Sequence, residues 1–237
     1  EAVAAAIERA QASNQPSLIA CRTIIGFGSP NKQGTAATHG APLGADEIAA
    51  ARAELNWPHE PFVLPNDVLS AWRTAGARGG SIRGAWKTSL AALSDADRNE
   101  FERRMAGDVS AVAREATAAH INALIAEPKT VATRKASELA LDALTAALPE
   151  MVGGSADLTG SNNTRTKPMA DIVPGSYNGT YVRYGVREHG MAAAMSGMAL
   201  HGGIIPFGGT FLVFTDYCRP SIRLAALMGL RVIYVMT

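Results

Sequence analysis

The chain has 237 residues, 47% hydrophobic and 18% charged, the balance of an ordinary folded protein of one or two domains. A net charge of +1 excludes an electrostatic bias toward nucleic acid or anionic membranes, and no apolar run nears the roughly 20 residues that span a bilayer. Two cysteines, Cys21 and Cys218, both in apolar surroundings, are expected as small core residues and not as a disulfide framework.

Residues 1–12 carry a helical pattern with no capping residue in front of it. Ser17 to Thr23 is expected as a buried strand. A loop containing Gly26, Gly28, Gly34 and Gly40 follows, then a helix from Asp46 to Leu55 that stops near Pro58. Residues 1–65 thus have the look of the closing portion of one α/β domain. Pro61, Pro65 and Asn66 mark a change, and Gly76 to Gly84 is expected to be a flexible break. From Ala85 to Ala126 the pattern is helical, with Trp86, Leu90, Leu93, Phe101 and Met105 as expected buried positions. Residues 66–128 are therefore assigned to a helical linker.

A second α/β unit occupies residues 129–237. Thr130 to Ala147 is expected as a long helix, and Met151 begins a strand. The 160s form a polar loop. Strands at 181–186, 203–207 and 231–236 then alternate with helices at 188–200 and 214–228. Alternation with short connections argues for a mainly parallel sheet flanked by helices, the α/β class. The apolar run Arg231 to Met236 is what a buried parallel strand requires.

One carboxylate stands out. Tyr181-Val-Arg-Tyr-Gly-Val-Arg-Glu-His-Gly-Met191 places Glu188 where a strand hands over to a helix, the position at which open α/β sheets hold their ligands. On its own, Glu188 could equally serve the helix N-terminus. Phe211, Phe214 and Tyr217, three apart, share one face if helical, a pattern that ordinarily means core packing. His39 sits in a Gly- and Pro-rich loop, which suits a ligand contact better than a core histidine. Asp157 alone would be a turn aspartate, and Arg134 alone a surface residue. His59 and His120 are expected at the surface, and His189 as structural. No Cys/His cluster has metal-ligand spacing.

Four segments in one order turn these hints into a resemblance: Ile24-Ile-Gly-Phe-Gly28, Thr38-His-Gly-Ala-Pro-Leu43, Gly153-Gly-Ser-Ala-Asp-Leu-Thr-Gly-Ser161 and Pro206-Phe-Gly-Gly-Thr-Phe-Leu-Val-Phe-Thr-Asp-Tyr217. With the segment around Glu188 they resemble transketolase, a thiamine-diphosphate enzyme. The resemblance runs nearly end to end and is weakest between about residues 66 and 128. It implies two incomplete thiamine-diphosphate-binding domains. It also implies transfer of a two-carbon ketol unit from a ketose phosphate to an aldose phosphate, in the pentose phosphate network or the Calvin cycle. Glu188 would be the carboxyl that hydrogen-bonds the cofactor's pyrimidine nitrogen. Ile25, Asp157, Phe211, Phe214 and Tyr217 would line the cofactor, with Phe214 stacked on the ring. Arg134 and Ser161 would grip the sugar phosphate, and His39 would contact substrate and diphosphate as a hydrogen-bond or proton donor.

The resemblance further implies a cytoplasmic homodimer whose active sites lie between subunits, so that His39 and Glu188 serve different sites. The family's Gly-Asp-Gly motif is absent here. The Mg²⁺ or Ca²⁺ is thus expected on residues outside this chain, which is expected to be an internal piece of a longer polypeptide and inactive alone. Two rivals remain: a dihydroxyacetone synthase-like transferase, and a non-catalytic scaffold or regulatory module that keeps the fold.

Overall fold

A computed structural model describes residues 1–237, which divide into two compact units, 1–83 and 84–237. Each is taken by itself.

The first unit contains helices α1 (Ala2–Gln11), α2 (Ala45–Glu54) and α3 (Asn66–Ala77) and a 3-10 turn at Ala36–Thr38, but no strand. Ser17 to Thr23 has no regular structure and no strand partner, and Leu18 is 95% exposed, against the buried strand expected. Residues 1–83 hold no second strand to supply its hydrogen bonds, and a parallel strand cannot exist without neighbours. Cys21, in this segment, is consequently exposed and not a core residue. His59 is half-buried, its ring edge-on to Trp57 with centroids 5.0 Å apart.

The expected break at 76–84 is helical instead. Here α3 gives way at Arg78 to α4 (Gly79–Ala91) with hardly an interruption. Glycine in a helix costs only about 1 kcal/mol against alanine, and the flanking residues are helix-compatible, so composition alone misleads. Trp86, Leu93 and Met105 are exposed, contrary to expectation, and Leu90 and Phe101 are half-buried. Trp86 instead meets Phe101 edge to face, with centroids 6.3 Å apart.

In the second unit, α5 (Asp95–Ala106) is bounded by side-chain chemistry at both ends. The Ser94 hydroxyl accepts the Asp97 N–H at its start, and Gly107, left-handed at φ 68°, closes it. Then come α6 (Ser110–Ala126), α7 (Thr133–Ala147), β1 (Met151–Ser155), a single turn α8 (Thr159–Asn162) and β2 (Tyr181–Arg183). After them follow α9 (Glu188–His201), β3 (Ile205–Thr210), a 3-10 turn at Leu212–Phe214, α10 (Thr215–Leu227) and β4 (Ile233–Met236). All three strand pairings are parallel, in the order β2-β1-β3-β4.

Glycines decide how the layers close. On one face Leu141, Leu148, Met151, Tyr181, Ile205, Phe207 and Val235 form the core with α6 and α7. The Phe207 ring lies over Gly153, where a Cβ would meet it at 2.0 Å. On the other face Met191 and Met195 of α9 pack with Tyr184 and Tyr234. Gly208 lets both sulfurs approach, and Gly154 leaves room for the Tyr184 ring. No helix of the chain is long and apolar enough to cross a membrane.

Candidate active site

From β1 the chain turns to β2 on one side, while β3 pairs on the other. Connections that diverge in this way open a crevice at the carboxyl ends of the strands, the usual ligand site of open α/β sheets. Asp157 stands two residues beyond β1, Ser161 lies in α8, and Phe211 directly follows β3. The crevice floor is polar and closed. The Ser155 hydroxyl donates to the Gly209 carbonyl at 3.1 Å, and the Asn162 amide reaches the Thr237 hydroxyl at 2.6 Å.

Glu188 is the first residue of α9 and is 7% exposed, and its carboxylate has no hydrogen bond or ion pair within the chain. Its charge reaches α10: burial pushes the Cys218 thiol above its ordinary value, and the Glu188 carboxylate adds to the effect. Cys218 lies one helical turn beyond Phe214, whose carbonyl its sulfur approaches at 3.9 Å. The next residue, His189, meets the buried Ser221 hydroxyl at 3.2 Å through Nδ1 and so ties the first turn of α9 to α10.

Beside this carboxylate stands an aromatic ladder. Phe211 and Phe214 have ring centroids 5.7 Å apart, and Phe214 and Tyr217 5.6 Å, with tilts of 37° and 34°. The first two rings are half-buried and Tyr217 is 63% exposed, so the ladder is a wall and not a core.

Arg134 and Ser161, 27 residues apart, are in contact: the guanidinium Nη1 donates to the Ser161 carbonyl at 3.0 Å. Arg134 also faces a cavity of about 350 Å³ between α7 and β4. Asp157 is exposed and left-handed at φ 61°, within electrostatic reach of Arg183.

Ile25 and His39 belong to the first unit. Both are exposed, and they sit on two arms of one loop. The Gly34 N–H donates to the Ile25 carbonyl at 2.8 Å, and Gly26, at φ 66°, lies so close to Thr38 that a Cβ would meet it at 2.5 Å. Glu47 clasps the loop's base. It accepts from the Ser29 hydroxyl, from the Asn31 N–H at 2.9 Å and from the Asn31 amide at 2.9 Å. The Ser29 and then the Asn31 hydrogen bonds hold its carboxyl below the usual range.

Sequence reasoning missed Tyr184 and Thr210, whose buried hydroxyls lack partners at the same end of the sheet. Burial pushes the Tyr184 phenol up to about 12. Tyr184 was visible only as the last aromatic of a β-rich run, Thr210 only as the residue after two glycines.

Residues 1–110 match the family model described as the thiamine diphosphate binding domain of transketolase, and residues 129–237 match its pyrimidine binding domain. The chain belongs to the transketolase family. It is 59% identical to the transketolase of Cereibacter sphaeroides over all 237 residues and 51% identical to that of Sinorhizobium medicae. It covers 98% of its own length on a Leishmania mexicana transketolase structure, at 39% identity and a TM-score of 0.78, spanning 34% of that chain. A Pichia stipitis transketolase solved with sedoheptulose 7-phosphate matches at 36% identity and a TM-score of 0.79, over 99% of this chain and 36% of that one. The chain spans about a third of the length of the curated relatives it matches, 36% of the Cereibacter protein and 34% of the Sinorhizobium one.

Proposed function

We propose that this chain supplies part of a ketol-transferring active site, with Glu188 as its central carboxyl. The observation that carries the reading is a carboxylate without an internal partner, on a largely buried residue at a helix N-terminus beside a wall of three aromatic rings. Those residues fit the pyrimidine of thiamine diphosphate: an acid for a ring nitrogen and a flat apolar surface for the ring. When bound, thiamine diphosphate supplies a carbon acid whose conjugate base adds to a ketone and takes up the electrons of the broken C–C bond.

The chain's own residues do the rest. Glu188 holds a proton at the ring nitrogen, and the apolar surroundings keep water from competing for that hydrogen bond. Phe214 stacks on the ring, with Phe211 and Tyr217 completing the wall, and Ile25 and Asp157 add further cofactor contacts. His39 steadies negative charge on the substrate as a donor, in the other active site of the proposed homodimer. Arg134, already in contact with Ser161, offers its remaining donors to a sugar phosphate, and the Ser161 hydroxyl adds one more. Sugar phosphates are the substrate class that the Pichia complex supports.

The divalent cation, Mg²⁺ or Ca²⁺, falls to residues outside these 237. A cytoplasmic homodimer within the pentose phosphate network or the Calvin cycle completes the reading. The exposed Leu212, Val213, Leu224 and Leu227 give the pyrimidine-binding region an apolar face that a second copy would cover. Glu188→Gln in the full-length enzyme is expected to lower ketol transfer by about a hundredfold or more, the range of acid–base contributions, with cofactor affinity largely kept. Near-normal turnover in steady-state assays would remove Glu188 from this role.

A further inference from the structure

The amino edge of the sheet, opposite Glu188, borders a second and separate half-open cavity of about 210 Å³. Its walls come from the last turn of α5, from Glu150 just before β1, from the α9–β3 turn and from Arg231 just before β4. Gly202 and Gly203, left-handed at φ 82° and 75°, shape that turn, and a Cβ on Gly203 would meet the Met105 sulfur at 3.0 Å.

The polar groups around the space are not matched to one another. Glu150 has a side chain only 2% exposed, and its Oε1 accepts from Arg103 at 2.9 Å. Its Oε2 is buried without any partner. Arg104 commits its Nε to Glu100 at 2.7 Å, and Arg231 commits one Nη to the Gly107 carbonyl at 2.9 Å. Each guanidinium therefore keeps donors that no other group of the chain takes up, and both residues line the cavity. Buried acceptors without donors are rare in native proteins, and each calls for a specific cause.

We infer that this cavity binds a small hydroxylated anion, its carboxylate or phosphate held by Arg104 and Arg231 and its hydroxyl donating to Glu150 Oε2. The volume sets the size: at roughly 30 Å³ per water it holds about seven waters, below the range of drug-sized sites. Glu150 is held by Arg103 through Oε1 alone, which leaves Oε2 as the acceptor for a ligand hydroxyl. An anion without a hydroxyl meets the two arginines but leaves Oε2 unpaired, and it is rejected on that account. The site lies away from the crevice of Glu188 and does not depend on the ketol-transfer reading.

The test uses the full-length protein carrying Arg134→Ala, which weakens the proposed sugar-phosphate grip. Calorimetric titration with glycerol 3-phosphate is expected to saturate at one site per chain, with ethyl phosphate binding about tenfold or more weaker. Added Arg231→Gln is expected to weaken glycerol 3-phosphate at least about tenfold. Arg104→Gln, which spares the Gly107 contact, is measured beside it in case the first variant fails to fold. Hydrogen exchange on the protein without either change is expected to show ligand-dependent protection at residues 202–205. No saturable binding, equal affinity for ethyl phosphate, full affinity in the folded variants, or protection confined to other segments would each overturn the site.

Discussion

Arg134 shows how a residue that looks dispensable in isolation gains a role from its neighbour. It lies at the surface, yet its guanidinium is already oriented by the Ser161 carbonyl, so less freedom is lost when a phosphate arrives. Arg134→Ala is expected to raise KM for phosphorylated sugars about tenfold or more with a smaller change in kcat, the signature of lost ground-state binding. Initial-rate kinetics with a phosphorylated and a non-phosphorylated acceptor check this, and an unchanged KM takes Arg134 out of the phosphate site. Glu47 acts at one remove, through the loop that carries Ile25 and His39. Its folded carboxyl lies below the ordinary value because Ser29 and Asn31 donate to it. Between the folded and unfolded values the unfolded chain binds more protons, so this contribution is present above about pH 4.3 and fades as pH falls through the folded value. Proteolysis of the loop at pH 7 and pH 4 is expected to show a smaller pH difference in Glu47→Gln than in the parent.

At the scale of elements, the glycines of β1 and β3 are where the sheet and its covering layers are least tolerant. Gly153→Ala drives a methyl into the rigid, fully buried Phe207 ring and is expected to cost about 3 kcal/mol, the upper part of the overpacking range. Gly208→Ala meets methionine sulfurs at 2.7 and 2.9 Å, which can swing aside, and is expected to cost about 1 kcal/mol. Denaturant midpoints for the two variants rank them, and equal stabilities would contradict this account of the packing. The alternation of residues 129–237 was legible because each strand finds its partners within that stretch. Ser17 to Thr23 was misread for the converse reason: an apolar run signals a strand only if something pairs with it. The break assigned to Gly76–Gly84 failed because glycine weakens a helix without forbidding it.

At the scale of the molecule, the candidate residues fall in two units, each taken by itself, and were legible to different depths. The place of Glu188 at the start of a helix and the shared face of Phe211, Phe214 and Tyr217 could be anticipated from spacing, whereas Arg134 and Ser161 were singled out only by the resemblance and their contact not at all. The buried hydroxyls of Tyr184 and Thr210 and the His189–Ser221 tie could not be anticipated, because they depend on which helix covers which face of the sheet. Residues 1–237 alone leave Leu18, Phe62 and Trp72 exposed in the first unit and, in the second, Leu224 and Leu227 of α10. That piece is expected to self-associate on size exclusion and to show no ketol transfer, and a monodisperse active sample would contradict it. The central claim concerns the single carboxyl of Glu188, and it can be read without any sugar. In the full-length enzyme loaded with thiamine diphosphate, exchange of the cofactor's thiazolium proton with deuterium, followed by quench and NMR, is expected to slow about a hundredfold or more in Glu188→Gln. Exchange as fast as in the parent, with the cofactor fully bound, would contradict the account.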